Sequence, residues 1–202
     1  MIHGRQDQAA RATAPLFDAL ASSTSSGATD PVSDPQQQER EPDPHDDLAR
    51  QIVLRQLAMA PRSRAELEAK LAQRDCPVDV AAAVLDRLTE VGLVDDEAYA
   101  LTLVRSQQTG RGLAKRALAR QLHNKGIEDD LADAALASIS DADERDRARA
   151  LVDKKLHAMH GFGIEVQTRR LAGMLARKGY SPSLTYAVIR EAIADAPEYL
   201  PD

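Results

Sequence analysis

Residues 117–127 read ALARQLHNKGI, and two other stretches of the chain repeat this pattern. They are residues 66–76, which read ELEAKLAQRDC, and residues 170–180, which read RLAGMLARKGY. In each stretch two leucines lie four residues apart on one helix face, and a turn residue then precedes a residue suited to the core. The turn residue is glycine twice and aspartate once, and both types tolerate the left-handed conformation that often ends a helix. The pattern therefore predicts three copies of one helical unit.

The residues after each stretch extend the similarity. Apolar residues recur four, eight and nine positions after the last residue of each stretch, and the copies are 51 and 53 residues apart. Ser63 and Glu66 form a predicted capping box, and Ser181 followed by Pro182 marks another helix start. Each copy has room for three helices, and no alternating strand pattern is evident. We predict an all-α fold with helices over residues 47–58, 63–74, 77–91, 96–108, 112–125, 128–139, 143–159, 165–178 and 181–195.

These repeats divide the chain into a tail and three predicted domains. The domains are three-helix repeats over residues 46–94, 95–141 and 142–202. The tail, residues 1–45, holds five of the ten prolines and seven acidic residues against three basic ones. Because such a segment cannot bury enough apolar surface to offset its ordering entropy, we predict that it is disordered. Tandem repeats contact mainly their neighbours, so we expect an elongated, curved molecule. The alternative is a compact helical bundle in which the similarity is accidental.

The net charge hides an uneven distribution of acids and bases. The 202 residues carry 26 Lys and Arg against 32 Asp and Glu, and a net charge of -6 by itself argues against a nucleic-acid partner. Yet residues 105–126 hold six bases and no acid, and residues 128–144 hold seven acids and no base. The other copies show the same trend, with basic first and second helices and an acidic third helix. A repeated basic strip would suit a polyanion. Alternatively, the basic helices neutralise the acidic helices of adjacent repeats.

The candidate partner- or DNA-binding residues are cations of the second and third copies. They are Arg105, Arg111, Lys115, Arg116, Arg120, Lys125, Lys154, Lys155, Arg169, Arg170, Arg177 and Lys178. Residues 110–116 also place flexible, glycine-containing backbone before a helix N-terminus and near three cations, and backbone N–H groups at such a start can hold a phosphate. A plain turn between two helices is the alternative. We expect that reversing Arg111, Lys115 and Arg116 to Glu weakens partner binding and leaves helicity intact.

The sequence offers little for catalysis, metal binding or membrane insertion. One cysteine excludes an intrachain disulfide and a Cys-based zinc site, and Cys76 is predicted to pack in the core. His157 and His160 lack a third ligand nearby, so we expect solvated histidines. Phe162, between two glycines, is predicted to be a contact tip. No carboxylate pair or triad is evident, and we expect no cofactor, no metal and no enzymatic activity. No signal peptide and no run of about 18 apolar residues is evident, so we expect a cytoplasmic protein without a membrane partner.

The second copy carries a more specific motif. Residues 92–100, GLVDDEAYA, are followed by Val104-Arg105 and by residues 110–118, GRGLAKRAL. This arrangement resembles the RecX family, as does the ending Lys125-Gly126-Ile127. The third copy is similar to that family's C-terminal repeat through Lys154-Lys155-Leu156, Arg169-Arg170-Leu171 and Arg177-Lys178-Gly179-Tyr180. The resemblance covers about residues 47–196 and departs at Asp75, where glycine is more usual.

The resemblance implies tandem three-helix repeats and a non-catalytic regulator of the RecA recombinase. Such a protein would lie in the groove of the RecA–DNA filament and restrain strand exchange and ATP hydrolysis, in recombination, DNA repair and the SOS response. We expect a monomer that contacts single- or double-stranded DNA through backbone phosphates, independently of sequence. Two alternatives remain: a nucleic-acid-binding protein that acts alone, and a helical-repeat scaffold for other proteins. The scarcity of aromatic residues argues against base stacking as the main DNA contact.

Overall fold

The computed structural model describes residues 44–159 and 161–196, and within them the chain forms nine α-helices and no strand. The predicted all-α fold is confirmed. The first three helices lie in one compact unit that ends at Val94, and the other six lie in a second unit that begins at Asp95. The helices are α1 (Pro44–Met59), α2 (Arg64–Ala72), α3 (Val78–Glu90), α4 (Asp96–Arg111), α5 (Lys115–Asn124), α6 (Asp129–Ala137), α7 (Asp141–His157), α8 (Ile164–Lys178) and α9 (Pro182–Ala194).

Residues 1–43 of the predicted disordered tail lie outside the described residues, as do His160 and residues 197–202. The last two residues of that predicted tail, Pro44 and His45, belong to α1. Proline fits this position because the first N–H groups of a helix have no intrahelical acceptor. Among the described residues, no helix combines the length and apolar character that a bilayer crossing requires.

The second helix of each repeat ends as the repeated pattern predicts. Asp75, Gly126 and Gly179 have φ values of 60, 69 and 93°, so all three turns use the left-handed conformation. In each repeat, the N–H of the residue after the turn donates to the carbonyl of the second leucine of the helix. These second leucines are Leu71, Leu122 and Leu175. These bonds satisfy carbonyls that the helix end would otherwise leave unpaired. The aspartate in the first copy therefore adopts the conformation that glycine provides in the others.

Each repeat has its own hydrophobic core. The paired leucines are Leu67 and Leu71, Leu118 and Leu122, and Leu171 and Leu175, and all six are at most 1% exposed. The residues after the turns, Cys76, Ile127 and Tyr180, are buried as well. Burial of one such large apolar side chain contributes about 1.5–3 kcal/mol. The shared register therefore places equivalent side chains at the centre of three separate cores.

Candidate partner-binding surface

The twelve candidate cations all lie in the second compact unit. Nine are exposed, and none of the nine is ion-paired within the described residues: Arg105, Arg111, Arg116, Arg120, Lys154, Lys155, Arg169, Arg170 and Arg177. The other three, Lys115, Lys125 and Lys178, are partly buried. Arg116 and Arg120 are four residues apart on α5, and Arg170 and Arg177 are seven apart on α8, so each pair shares a helix face. We call the exposed Arg116, Arg120, Arg169, Arg170 and Arg177 the α5/α8 cations.

The start of α5 is filled by groups of the third repeat. Gly112 ends α4 in the left-handed conformation, so Gly110 and Arg111 belong to the last turn of α4 rather than to a loop. Glu144 from α7 accepts a hydrogen bond from the backbone N–H of Lys115 at 3.0 Å. The N–H of Ala114 donates to the carbonyl of Lys178 at 3.0 Å. The predicted phosphate site at this helix start is therefore wrong, because a protein carboxylate occupies it, and the alternative of a turn between two helices is confirmed.

Two of the candidate cations help to join the second and third repeats. The Lys115 ammonium lies 3.1 Å from the Asp141 carboxylate, and the Lys178 ammonium donates to the backbone carbonyl of Arg111. The buried Tyr180 hydroxyl donates to the carbonyl of Gly112 at 3.2 Å. Reversal of Lys115 to Glu would place two carboxylates together, so the triple reversal proposed from the sequence would also weaken the contact between α5 and α7.

Close backbone packing holds the C-terminal end of α8 against the start of α5. A Cβ atom on Gly179 would lie 2.6 Å from the Cβ and 2.7 Å from the backbone nitrogen of Ala117. Any residue with a Cβ would clash with Ala117 at this distance. Glycine also tolerates the left-handed backbone conformation at this position. Ala114, the residue before α5, packs in the core of the third repeat. The junction therefore fixes the cations of α5 and α8 on one packed body.

Ion pairs neutralise other basic residues of the chain. Arg64 on α2 pairs with Asp86 on α3 at 2.7 Å, and Arg149 on α7 pairs with Asp195 on α9 at 3.0 Å. Hydrogen bonds to these and neighbouring carboxylates raise the pKa of both guanidinium groups. Such pairs lie within a repeat and are partly exposed, so each stabilises the fold by about 1 kcal/mol at most. Charge neutralisation between helices therefore applies to part of the basic set, whereas the α5/α8 cations remain exposed.

The exposed face of the second helix differs between repeats. Arg116 and Arg120 on α5 correspond to Ala65 and Ala69 on α2 when the leucines are aligned. In α2, moreover, Arg64 lies 3.0 Å from Glu68 and bridges to α3. The numbers of acidic and basic residues suggest a basic second helix in every copy. Among the described residues, however, exposed arginines without an ion pair occur on this helix only in the second and third repeats.

Comparisons with known proteins agree with the repeat architecture. The model of the first three-helix domain of RecX matches residues 49–88, that of the second matches residues 95–136, and that of the third matches residues 142–189. The chain belongs to the RecX family. The regulatory protein RecX of Thermobifida fusca (strain YX) is 49% identical to the chain over 145 residues, which are 72% of this chain and 78% of that protein. The regulatory protein RecX of Mycolicibacterium smegmatis (strain ATCC 700084 / mc(2)155) is 45% identical over 166 residues, which are 80% and 88% of the two chains.

Solved RecX structures share this fold. The crystal structure of RecX from Lactobacillus salivarius has a TM-score of 0.67 and 23% sequence identity, and the match covers 74% of this chain and 97% of that one. A second crystal structure, of a regulatory protein RecX, has a TM-score of 0.65 and 24% identity over 73% of both chains. The curated relatives of the chain are named as regulatory proteins, and the three-repeat fold predicted from its sequence is confirmed.

The structure also places the residues that the sequence analysis considered for chemistry or partner contact. Burial raises the pKa of the Cys76 thiol to about 11, which fits its predicted place in the core. Phe162 is 42% exposed, and the guanidinium carbon of Arg170 lies 4.4 Å from the centre of its ring. Among the described residues, no group of three or more His, Cys, Asp and Glu side chains could hold a metal ion.

Sequence reasoning missed Glu144 and the Phe162–Arg170 contact. Glu144 lies within an acidic run of the sequence, and nothing in that run distinguishes it from its neighbours. Its role depends on a partner 29 residues away. For Phe162 and Arg170, the available signal was an aromatic residue between two glycines, seven residues before the Arg169-Arg170 pair.

Proposed function

We propose that this member of the RecX family binds the RecA–DNA filament and, without catalysing a reaction, restrains RecA strand exchange and ATP hydrolysis. Family membership across all three repeats carries the proposal. The exposed arginines of α5 and α8 support it, since a filament made of protein and DNA presents phosphate and carboxylate groups to a bound partner. By this proposal the protein acts in recombination, DNA repair and the SOS response.

The division of the basic residues suggests how the protein would engage a filament. Lys115 and Lys178 fasten the second and third repeats together, so the arginines beside them are held on a preformed surface. Preorganised cations lose less conformational freedom on binding than cations on a mobile segment. DNA contacts made in this way would be sequence-independent and would weaken as salt concentration rises.

The test of the RecA proposal is a titration of RecA's DNA-dependent ATPase with this protein. Inhibition should appear at a concentration near that of RecA. The absence of inhibition at micromolar excess would overturn the proposal.

A charge-reversal pair tests the part played by the exposed arginines. Arg116→Glu with Arg120→Glu should raise the concentration that inhibits RecA by at least tenfold. It should also reduce the slope of log K against log salt by about one for each phosphate that is no longer neutralised. The matched control is Arg50→Glu with Arg55→Glu, because both residues are exposed arginines on α1 of the first unit. An equal effect of the two double variants would show that total charge, rather than the α5 face, controls binding.

A second candidate function is sequence-independent DNA binding without RecA. The exposed arginines favour it as well, since they require only phosphates. DNA binding with a steep salt dependence in the absence of RecA, combined with no effect on the ATPase, would establish this alternative.

A further inference from the structure

The loop between α7 and α8 presents an aromatic ring to solvent. Phe162 is 42% exposed and lies between Gly161 and Gly163. A Cβ atom built on either glycine would meet no atom within 4 Å beyond the adjacent residues of the chain, so the backbone on both sides of the ring is open. Gly161 holds the left-handed conformation with φ at 82°, and the Phe162 N–H donates to the carbonyl of Met159 at 3.3 Å. The ring is therefore displayed on a short turn whose flanks are accessible.

A cation covers one side of this ring. The guanidinium carbon of Arg170, two turns along α8, lies 4.4 Å from the ring centre, which is the geometry of a cation–π contact. This contact orients the ring without removing it from solvent. Another exposed aromatic side chain of the same unit, Tyr186 on α9, is 53% exposed and has no stacked cation within the described residues. Phe162 thus differs from an ordinary exposed aromatic residue in having a stacked positive partner.

The charges near the loop favour an anionic partner. Lys154 and Lys155 lie in the last turn of α7, which leads into the loop, and Arg169 adjoins Arg170 on the exposed side of α8. Two acidic residues lie nearby: Glu165 is in the first turn of α8, and Asp153, which precedes Lys154, pairs with Arg149 at 2.8 Å. The four cations therefore outnumber the carboxylates and leave the region positive.

We propose that Phe162 and Arg170 form a stacking platform for one base of single-stranded DNA, while the neighbouring cations contact the adjacent phosphates. An exposed ring can stack on an unpaired base, whereas bases in a duplex are already stacked on each other and cannot reach it. An acidic peptide would use the cations but gain little from the ring. This inference rests on the proposed function, since it names single-stranded DNA as the part of the filament that the loop contacts.

The experiment compares Phe162→Leu with the wild-type protein on three fluorescently labelled probes. They are a 30-nucleotide single strand, a 30-base-pair duplex and an abasic strand of the same length. Leucine keeps an apolar side chain and removes the aromatic face. The variant should bind the single strand on the order of tenfold more weakly, in line with the loss of one base–aromatic stack. It should bind the duplex and the abasic strand as the wild type does. Tyr186→Leu is the matched control and should change none of the three affinities.

A spectroscopic variant gives an independent readout. The chain has no tryptophan, so Phe162→Trp introduces a single indole. Stacking on a base should quench its emission when the single strand is added, and the abasic strand should leave it unquenched. Arg170→Lys keeps the charge and removes the planar group. Combined with Phe162→Trp, it should therefore reduce both the quenching and the affinity for the single strand.

Three outcomes would overturn the stacking platform. They are unchanged single-strand affinity in Phe162→Leu, an equal reduction of affinity for all three probes, and absence of quenching in Phe162→Trp despite binding. A defect confined to RecA binding, with DNA affinity intact, would show that the ring contacts protein instead. The RecA ATPase assay is independent: wild-type protein that stacks on single-stranded DNA but does not affect RecA would overturn the proposed function and leave the platform standing.

Discussion

The starts of α2 and α5 occupy the same place in their repeats, but they are stabilised in opposite ways. At α2, Ser63 accepts a hydrogen bond from the N–H of Glu66, and the Glu66 carboxylate accepts one from the N–H of Ser63. At α5, the corresponding Ala114 has no capping side chain, and Glu144 of the third repeat accepts from the Lys115 N–H instead. Unpaired N–H groups at a helix start need an acceptor, and this acceptor is local in one case and 29 residues away in the other. The first repeat is therefore self-sufficient here, whereas the second depends on the third.

The largest expected effect comes from the close approach of Gly179, at the end of α8, to Ala117 on α5. Gly179→Ala places a Cβ within 2.7 Å of two Ala117 atoms and strains a backbone with φ at 93°. We expect a loss of about 3 kcal/mol in the free energy of unfolding of the second unit, measured by urea denaturation with hydrogen exchange to assign the unit. Asp75→Gly is the matched change at the equivalent turn of the first repeat. It should be neutral or stabilise by up to about 1 kcal/mol, because glycine relieves left-handed strain. Equal destabilisation by the two changes would contradict this difference.

An intermediate effect is expected where a helix start depends on a distant carboxylate. Glu144→Ala should cost about 1–2 kcal/mol and should speed amide exchange at the start of α5, because it removes a charge-assisted hydrogen bond. Ser63→Ala should cost about 1 kcal/mol, with faster exchange confined to α2. Asp133→Ala, at an exposed acidic residue of α6, is the control and should change neither helix start. If Glu144→Ala leaves exchange in α5 unchanged, the second repeat does not depend on the third in this way.

The smallest effect is a change in pH dependence at Tyr180. Burial raises the pKa of the Tyr180 phenol to about 12, from an ordinary value of 10.0. Between pH 10 and 12 the unfolded chain releases the phenol proton, whereas the folded chain retains it. The contribution of the protonated phenol to stability is therefore complete below pH 10 and is lost as pH rises towards 12. Tyr180→Phe should cost about 1 kcal/mol near neutral pH through loss of the hydrogen bond to Gly112. The difference between wild type and variant should shrink above pH 10 and change sign as pH approaches 12, as followed by urea midpoints. A constant difference across this range would mean that the phenol ionises equally in both states.

The features of the fold that depend on neighbouring residues could be predicted from the sequence. The buried leucines of each second helix, the helix starts at Ser63 and Ser181, and the left-handed turn at Asp75 follow from residues within about four positions of each other. Local periodicity and capping are properties of one helix, so they can be read before the fold is known. The exposed arginines of α5 were also identifiable, although the count of charges assigned the same basic character to α2.

Sequence patterns alone are enough to predict an all-α chain of three repeated units with equivalent core positions, and to indicate its family. They do not separate the cations that join helices from those that remain exposed, because that distinction depends on tertiary contacts. Lys115 and Arg116 are adjacent in sequence, yet one pairs with Asp141 and the other is exposed and has no ion pair within the described residues. Likewise, Glu144 and Gly179 acquire their roles only where α7 and α8 meet α5. The physical reason is that helix patterns depend on neighbours three or four residues away, whereas these contacts depend on how separate helices pack.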